Sequence, residues 1–325
     1  MPDPLPTRSA TLLAAAALLL LSLAPGSVRA QACCTATGSG EFGLVGPCHD
    51  AAISAQLSYQ AVIGSYGDTG AMRPLADATI GDLTLSLGAG LRLLNRRLEI
   101  GVIAPLRMQY RRFGAERSLR ARPGDVFVGT RLTTLRDTTT GIELGNSASY
   151  RPFLDLIAGL RLPTGRAPDA SEDPLGADVT GTGSFELNLG LKITKFLTLE
   201  HAVSLSAIWA HRFSRTVSAP EGALEFAAGE RLSLRASWLY LPSLRWSAGL
   251  FIGASASSAA TQDGQRIEAS ATHSLSFGGY ATWVFLFPEW EVTASLSVDP
   301  FFPSGGRNLP YVGPSISLFL KRGFL

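Results

Sequence analysis

The sequence predicts an all-β fold, an antiparallel transmembrane β-barrel of about twelve strands, and three observations carry that expectation: two-residue alternation of apolar and polar side chains, strand lengths suited to a bilayer, and tryptophans at strand ends. From Ile53 to Ile63 the odd positions are Ile53, Ala55, Leu57, Tyr59, Ala61 and Ile63, against Ser54, Gln56, Ser58, Gln60 and Val62. The next segment sets Leu83, Leu85, Leu87, Ala89, Leu91 and Leu93 against Asp82, Thr84, Ser86, Gly88, Gly90 and Arg92. A helix would spread these leucines around its circumference, whereas a strand gathers them on one face.

Residues 1–30 read as a cleaved signal peptide. Arg8 supplies a positive n-region, and Leu12 to Leu23 is a run of Leu, Ala and Ser too short to span a bilayer. Val28-Arg29-Ala30 and Ala30-Gln31-Ala32 offer small residues for cleavage after Ala30 or Ala32. Cys33 invites a lipid anchor, but the position three before it is Ala30, where a lipobox wants an aliphatic residue. Residues 31–50 then form a periplasmic segment carrying all three cysteines, Cys33, Cys34 and Cys48, ahead of a barrel over residues 51–325. In an oxidising compartment thiols pair, and three cannot pair fully. A bridge from Cys48 to Cys33 or Cys34 would close a loop of about 15 residues and hold it as a lid at the periplasmic mouth; the alternative is a leader with reduced thiols.

Strands are expected near 51–63, 80–94, 97–111, 125–135, 150–162, 184–194, 196–210, 231–241, 244–255, 271–286, 290–299 and 311–321, most of them near the ~9 to 11 residues that a tilted strand needs to cross hydrocarbon. Connectors after odd-numbered strands are long and polar, such as 64–79, 163–183, 211–230 and 255–270. Those after even-numbered strands are mostly tight, such as Asn95-Arg96, Lys195 and Pro242-Ser243. Long external loops alternating with short periplasmic turns is the barrel pattern, and an even strand number leaves both termini periplasmic. Residues 136–149 break the rule, either as an enlarged periplasmic turn or as a misplaced strand. All five tryptophans, Trp209, Trp238, Trp246, Trp283 and Trp290, fall near strand ends on the apolar parity, as an aromatic belt requires; Tyr59, Tyr110, Tyr150, Tyr240 and Tyr311 are placed similarly.

Composition narrows the function classes. Net charge is +2 with 17% charged residues, which gives no basic field for nucleic acid. Mean hydropathy is +0.19, yet no later run approaches the ~18 to 20 apolar residues of a spanning helix, so a helical inner-membrane transporter is not expected. A soluble β-sandwich also alternates, but it would bury the apolar parity rather than present it to lipid.

The polar parity carries Arg92, Glu99, Arg107, Gln109, Arg131, Asp155, Arg161, Glu186, Asn188, Lys192, Glu200, Arg231, Arg235 and Arg245, with Ser, Thr and Gly between. Such a wall leans basic. It reads either as a weakly anion-preferring passage or as charges that pair across the interior and fill it. A barrel of this size should have a narrow, partly plugged lumen.

Gly81-Asp82 and Gly124-Asp125 each open a strand, Leu162-Pro163-Thr164-Gly165 closes the fifth, and Gly181-Thr182-Gly183-Ser184 opens the sixth. This order resembles the outer-membrane proteins named for the MetA pathway of phenol degradation, well from Gly81 to Lys195 and by pattern elsewhere. The resemblance implies a β-barrel and uptake of hydrophobic or aromatic compounds, and it supplies no catalytic or binding residues. One departure is the C-terminus: many barrels end in an aromatic residue, whereas here Phe324 precedes Leu325.

Enzyme readings find little support. His201 and Ser204 lie on opposite parities, which keeps a nucleophile from its base, so no catalysis is expected. Histidines at 49, 201, 211 and 273 have no zinc spacing, and Asp169, Glu172, Asp173 and Asp178 lack the ligand spacing of a dedicated calcium loop, so no metal or cofactor is expected. The expected partners are outer-membrane lipid and lipopolysaccharide, the barrel-insertion machinery and a small-molecule solute, in the outer membrane of a Gram-negative bacterium. The competing class is a structural or adhesive barrel with a filled lumen and partner-binding loops.

Overall fold

The computed structural model describes residues 44–46, 49–67, 71–136, 141–219, 222–268, 270–286, 289–299 and 311–325. The expected signal peptide and all three cysteines lie outside them. Twelve strands form the barrel wall: β1 (Ala51–Val62), β2 (Ala78–Leu93), β3 (Leu98–Phe113), β4 (Val126–Leu135), β5 (Phe153–Leu162), β6 (Glu186–Phe196), β7 (His201–Arg212), β8 (Arg231–Tyr240), β9 (Trp246–Ser257), β10 (Thr272–Phe285), β11 (Trp290–Val298) and β12 (Ser315–Phe324). Each pairs antiparallel with the next, and β1 pairs with β12 from Ala51↔Phe324 to Gln60↔Ser315, which closes the sheet and removes its edges.

Burial is inverted relative to a soluble domain. Leu57, Leu87, Leu91, Leu250, Ile252 and Leu318 are exposed on the outward parity. The largest fully buried side chains are Lys321, Glu99 and Glu186, each 1% exposed. A sandwich would bury the leucines and solvate the charges, so this inversion selects the barrel.

Two turns differ from expectation. A single residue cannot reverse a strand: β6 runs through Lys195 to Phe196, and residues 197–200 make the turn. There the Thr198 hydroxyl accepts from the Glu200 and His201 amides at 3.2 and 3.1 Å. Glu200 is therefore an exposed rim residue, not part of the wall. Arg245 is likewise exposed, in the turn before β9, where Ser243 Oγ accepts from the Arg245 and Trp246 amides. Residues 141–150 of the long periplasmic connector are an enlarged turn, ending in a 3₁₀ segment, Ser147–Tyr150, capped by Asn146. Buried Ser149 is bonded to Glu143 and Asn146, and the Ile142 amide reaches Leu197 O at 3.3 Å. On the external side β3 outlasts β4, and above Ile103 it pairs instead with a return strand, Glu116–Pro123.

Candidate functional site in the barrel interior

The chain before β1 does not stay outside the wall. Residues 44–46 and His49 are buried, and the backbone amides of Leu44 and Val45 donate to Glu99 Oε1 at 2.7 and 3.1 Å. Glu99 Oε2 accepts from Arg131 at 2.6 Å and Arg92 at 3.3 Å, and Arg131 also reaches Val45 O. One buried carboxylate thus binds two guanidiniums and two main-chain amides, which satisfies an ion that would otherwise be very costly inside. The strap lies on glycine: a Cβ on Gly90 would stand 3.0 Å from Val45 Cγ2, and one on Gly323 would enter the His49 ring. These small residues are what let the backbone pass along the inner wall.

A second cluster stands at the external half. Glu186 receives Arg212 at 2.8 Å, Arg231 at 3.0 Å and Arg161 at 3.4 Å, while Asn188 donates to the same carboxylate. Three guanidiniums around one carboxylate leave two positive charges uncompensated. All three arginines are partly exposed while Glu186 is sealed beneath them. Arg111 pairs with Asp82 at 2.6 Å, and Lys321 with Glu291 at 2.6 Å. Asp155 accepts from Thr133 and faces Lys192 in register. Arg235 lies 3.8 Å over the Phe251 ring. The structure thus brings together Arg92, Glu99 and Arg131 in one group and Arg161, Glu186, Asn188 and Arg231 in another. Arg212, Arg111, Asp82, Glu291 and Lys321 were not singled out, although their inward parity was readable; a lid before β1 was expected from cysteine pairing, but not its seat on Glu99 and Arg131.

The connector from Pro163 to Phe185 folds onto the inner wall. Asp125 accepts from the Gly165 amide (3.0 Å), the Thr182 amide (2.8 Å) and the Thr182 hydroxyl. Thr164 bridges Gly124 O and the Val126 amide. A Cβ on Gly165 would stand 2.8 Å from Gly181 Cα, so the two ends of the loop touch through glycine backbone. Three of the four sequence pieces that carry the family resemblance meet in this knot. Further out, Gln109 and Arg107 donate to Val179 O and Thr180 O. The loop carboxylates are engaged: Asp178 with Ser171 and Arg166, Glu172 with Arg166, Asp173 with Ser118 and Arg120, Asp169 with Arg215. Burial opposes ionisation of Asp178, yet hydrogen bonds from Ser171 and Arg166 hold its carboxyl well below the usual range; Arg166 lowers Glu172, and Ser118 lowers Asp173. Among the described residues no group of His, Cys, Asp or Glu is arranged to hold a metal.

The remaining arc of the wall is built differently. Ser255 bonds Ser274, Thr282 bonds Thr293, Ser295 bonds Ser317 and Ser297 bonds Ser315, each cross-strand pair at 2.6–2.8 Å. Below it, toward the periplasm, Phe196, Ala202, Leu239, Leu241, Phe251 and Tyr280 form an apolar cluster, with Phe153 against it.

Outside, the aromatics gather at the periplasmic rim. His201 stacks on Trp238 and Tyr240, Trp246 faces Trp283 in register, and Phe285 stacks on Trp290 beneath Arg322. Trp209 sits at the other end, its indole N–H donating to Glu230 at 3.1 Å. Ser204 points inward to Ser237 at 2.7 Å, on the opposite side of the wall from the His201 ring.

No protein-family model and no curated protein matches the chain. Among solved structures, an outer membrane channel from Pseudomonas putida F1 aligns with TM-score 0.68 at 15% identity, covering 88% of this chain and all of that one. The β-domain of the Bordetella autotransporter BrkA aligns at 0.47 with 10% identity, over 85% of this chain and all of its own. At 15% identity the likeness to the Pseudomonas putida channel shows the fold alone, an outer-membrane β-barrel, and the twelve strands and their closure are those described above.

Proposed function

We propose that this chain is an outer-membrane channel for passive passage of small molecules, preferring anions and closed at its periplasmic mouth by Leu44, Val45, Gly46 and His49. One observation carries the reading: the described strap residues are held inside the barrel through Glu99 and Arg131 and by glycine contact, and among them no strand ladder forms, so they can leave without unzipping the wall. The uncompensated guanidiniums around Glu186 support the anion preference, since basic residues lining a pore favour anions. Hydrophobic or aromatic compounds are the solutes that the family resemblance implies. Placement by the insertion machinery into an outer membrane follows from the same reading. The test is planar-bilayer recording under a salt gradient. The expected reversal potential is anion-selective and moves toward zero when Arg161, Arg212 and Arg231 are replaced by Gln. Silence, both with the strap and after its removal, would favour a filled structural barrel.

A further inference from the structure

The external hairpin of residues 106–123 carries six arginines, Arg107, Arg111, Arg112, Arg117, Arg120 and Arg122, against one acid, Glu116. Register sorts them by face. Arg107 opposite Arg122 and Gln109 opposite Arg120 share the interior parity with buried Gln109 and Arg111. On the outward parity the rungs are Leu106↔Pro123, Met108↔Ala121, Tyr110↔Leu119 and then Arg112↔Arg117. The outer surface therefore climbs three apolar rungs, with Leu106, Met108 and Leu119 exposed, and ends on a pair of arginines directly across from each other.

Like charges directly opposite in a sheet destabilise it. Among the described residues no carboxylate pairs with Arg112 or Arg117, although Arg111 and Arg120 of the same hairpin and Arg131 of the wall have carboxylate partners. The level of the pair is informative. Tyr110 lies on the outward face, and the Tyr59 hydroxyl lies over Gly81, the residue facing Tyr110 across β2. Tyrosines mark headgroup depth. One rung further, two residues or about 6.6 Å along the strand, stand the two guanidiniums, where the phosphates of an outer leaflet begin. Opposed Cβ atoms about 5 Å apart let both forks converge on one phosphate, the bidentate geometry that arginine favours.

The geometry points to Arg112 and Arg117 as a clasp for a phosphate group of an outer-leaflet glycolipid. The lipid's acyl chains lie along Leu106, Met108 and Leu119, and its phosphate neutralises the arginine rung. This site is independent of what passes through the barrel.

The test uses the full mature chain in phosphatidylcholine nanodiscs doped with diphosphoryl lipid A, with lipid retained per barrel read by native mass spectrometry. Arg112→Gln with Arg117→Gln is expected to lower retention at least about tenfold. Arg120→Gln with Arg122→Gln, on the interior face of the same hairpin, should leave it unchanged, and heat-modifiable gel migration reports that each variant is folded. Millimolar inorganic phosphate should not displace the lipid, since the acyl contacts hold it; displacement would mean a free-phosphate site and overturn the lipid assignment. Equal retention in wild type and R112Q/R117Q, or equal loss in both double variants, would also overturn the clasp.

Discussion

Two arcs of the same wall solve one problem in opposite ways. From β2 to β8 the interior is ionic: Glu99 and Glu186 are each wrapped by several arginines. From β9 to β12, apart from the buried ion pair of Lys321 with Glu291, it is mostly hydroxyl, with serines and threonines bonded one to one across neighbouring strands. Both arcs arise from the same alternation, yet an ion needs several partners to remain inside, whereas a hydroxyl needs one. The ionic arc therefore concentrates its stability in carboxylates shared by several arginines, and the second arc spreads its own over weak hydroxyl pairs around the Lys321–Glu291 pair. The strap seats between them, with Val45 over Gly90 of β2 and His49 over Gly323 of β12.

The largest effect that would sharpen this contrast is Glu186→Ala. It leaves three interior guanidiniums without their carboxylate; because these are partly exposed, the cost falls toward the lower end of the about 3 to 5 kcal/mol that breaking a fully buried pair carries. The expected observation is a clearly lower temperature for loss of the compact, heat-modifiable gel band. Next comes Asp125→Ala, which removes the acceptor of three hydrogen bonds and exposes the loop knot at a cost of about 1 to 3 kcal/mol. Protease nicking between residues 163 and 185 should accelerate while the barrel persists. The smallest effect is expected on the hydroxyl arc: Ser255→Ala together with Ser274→Ala deletes both partners, which is nearly neutral. A melting change as large as that of Glu186→Ala would erase the distinction between the arcs.

Acid offers a further way to separate regions. The carboxyls of Glu172, Asp173 and Asp178 are depressed, so their contribution to loop anchoring is complete above the ordinary carboxylate pKa of about 4 and is lost as pH falls through the lowered values. Nicking of the loop should be flat from pH 5 to 8 and rise only near pH 3 or below. A rise at pH 6 would place the control on a histidine instead.

The wall was legible because its cause is local: alternation sets the parity, and parity separates Leu87 from Gly88 without reference to any other strand. That is why all twelve strands and the inward direction of Arg92, Glu99, Arg131, Arg161 and Glu186 could be read. Turns were less legible, since Glu200 and Arg245 keep the inward parity by arithmetic while the hydroxyls of Thr198 and Ser243 draw the chain out of the strand. The groupings were not legible at all. That Arg212 joins Glu186, or that Asp125 fastens residues 165 and 182, depends on register across several strands and on a loop folding inward. The lid expected from cysteine pairing has a counterpart in the strap, yet its described contacts run through Glu99 and glycine, and the cysteines lie outside the described residues.

The strap's proposed role is tested most directly by single-channel conductance of the full chain beside a chain that begins after Gly46, in the same bilayer and salt. If these residues close the channel, their removal should raise conductance severalfold and keep the anion preference, because the arginines around Glu186 remain. Conductance unchanged by the truncation, with the barrel folded by heat-modifiable migration, would contradict the claim that this segment closes the channel.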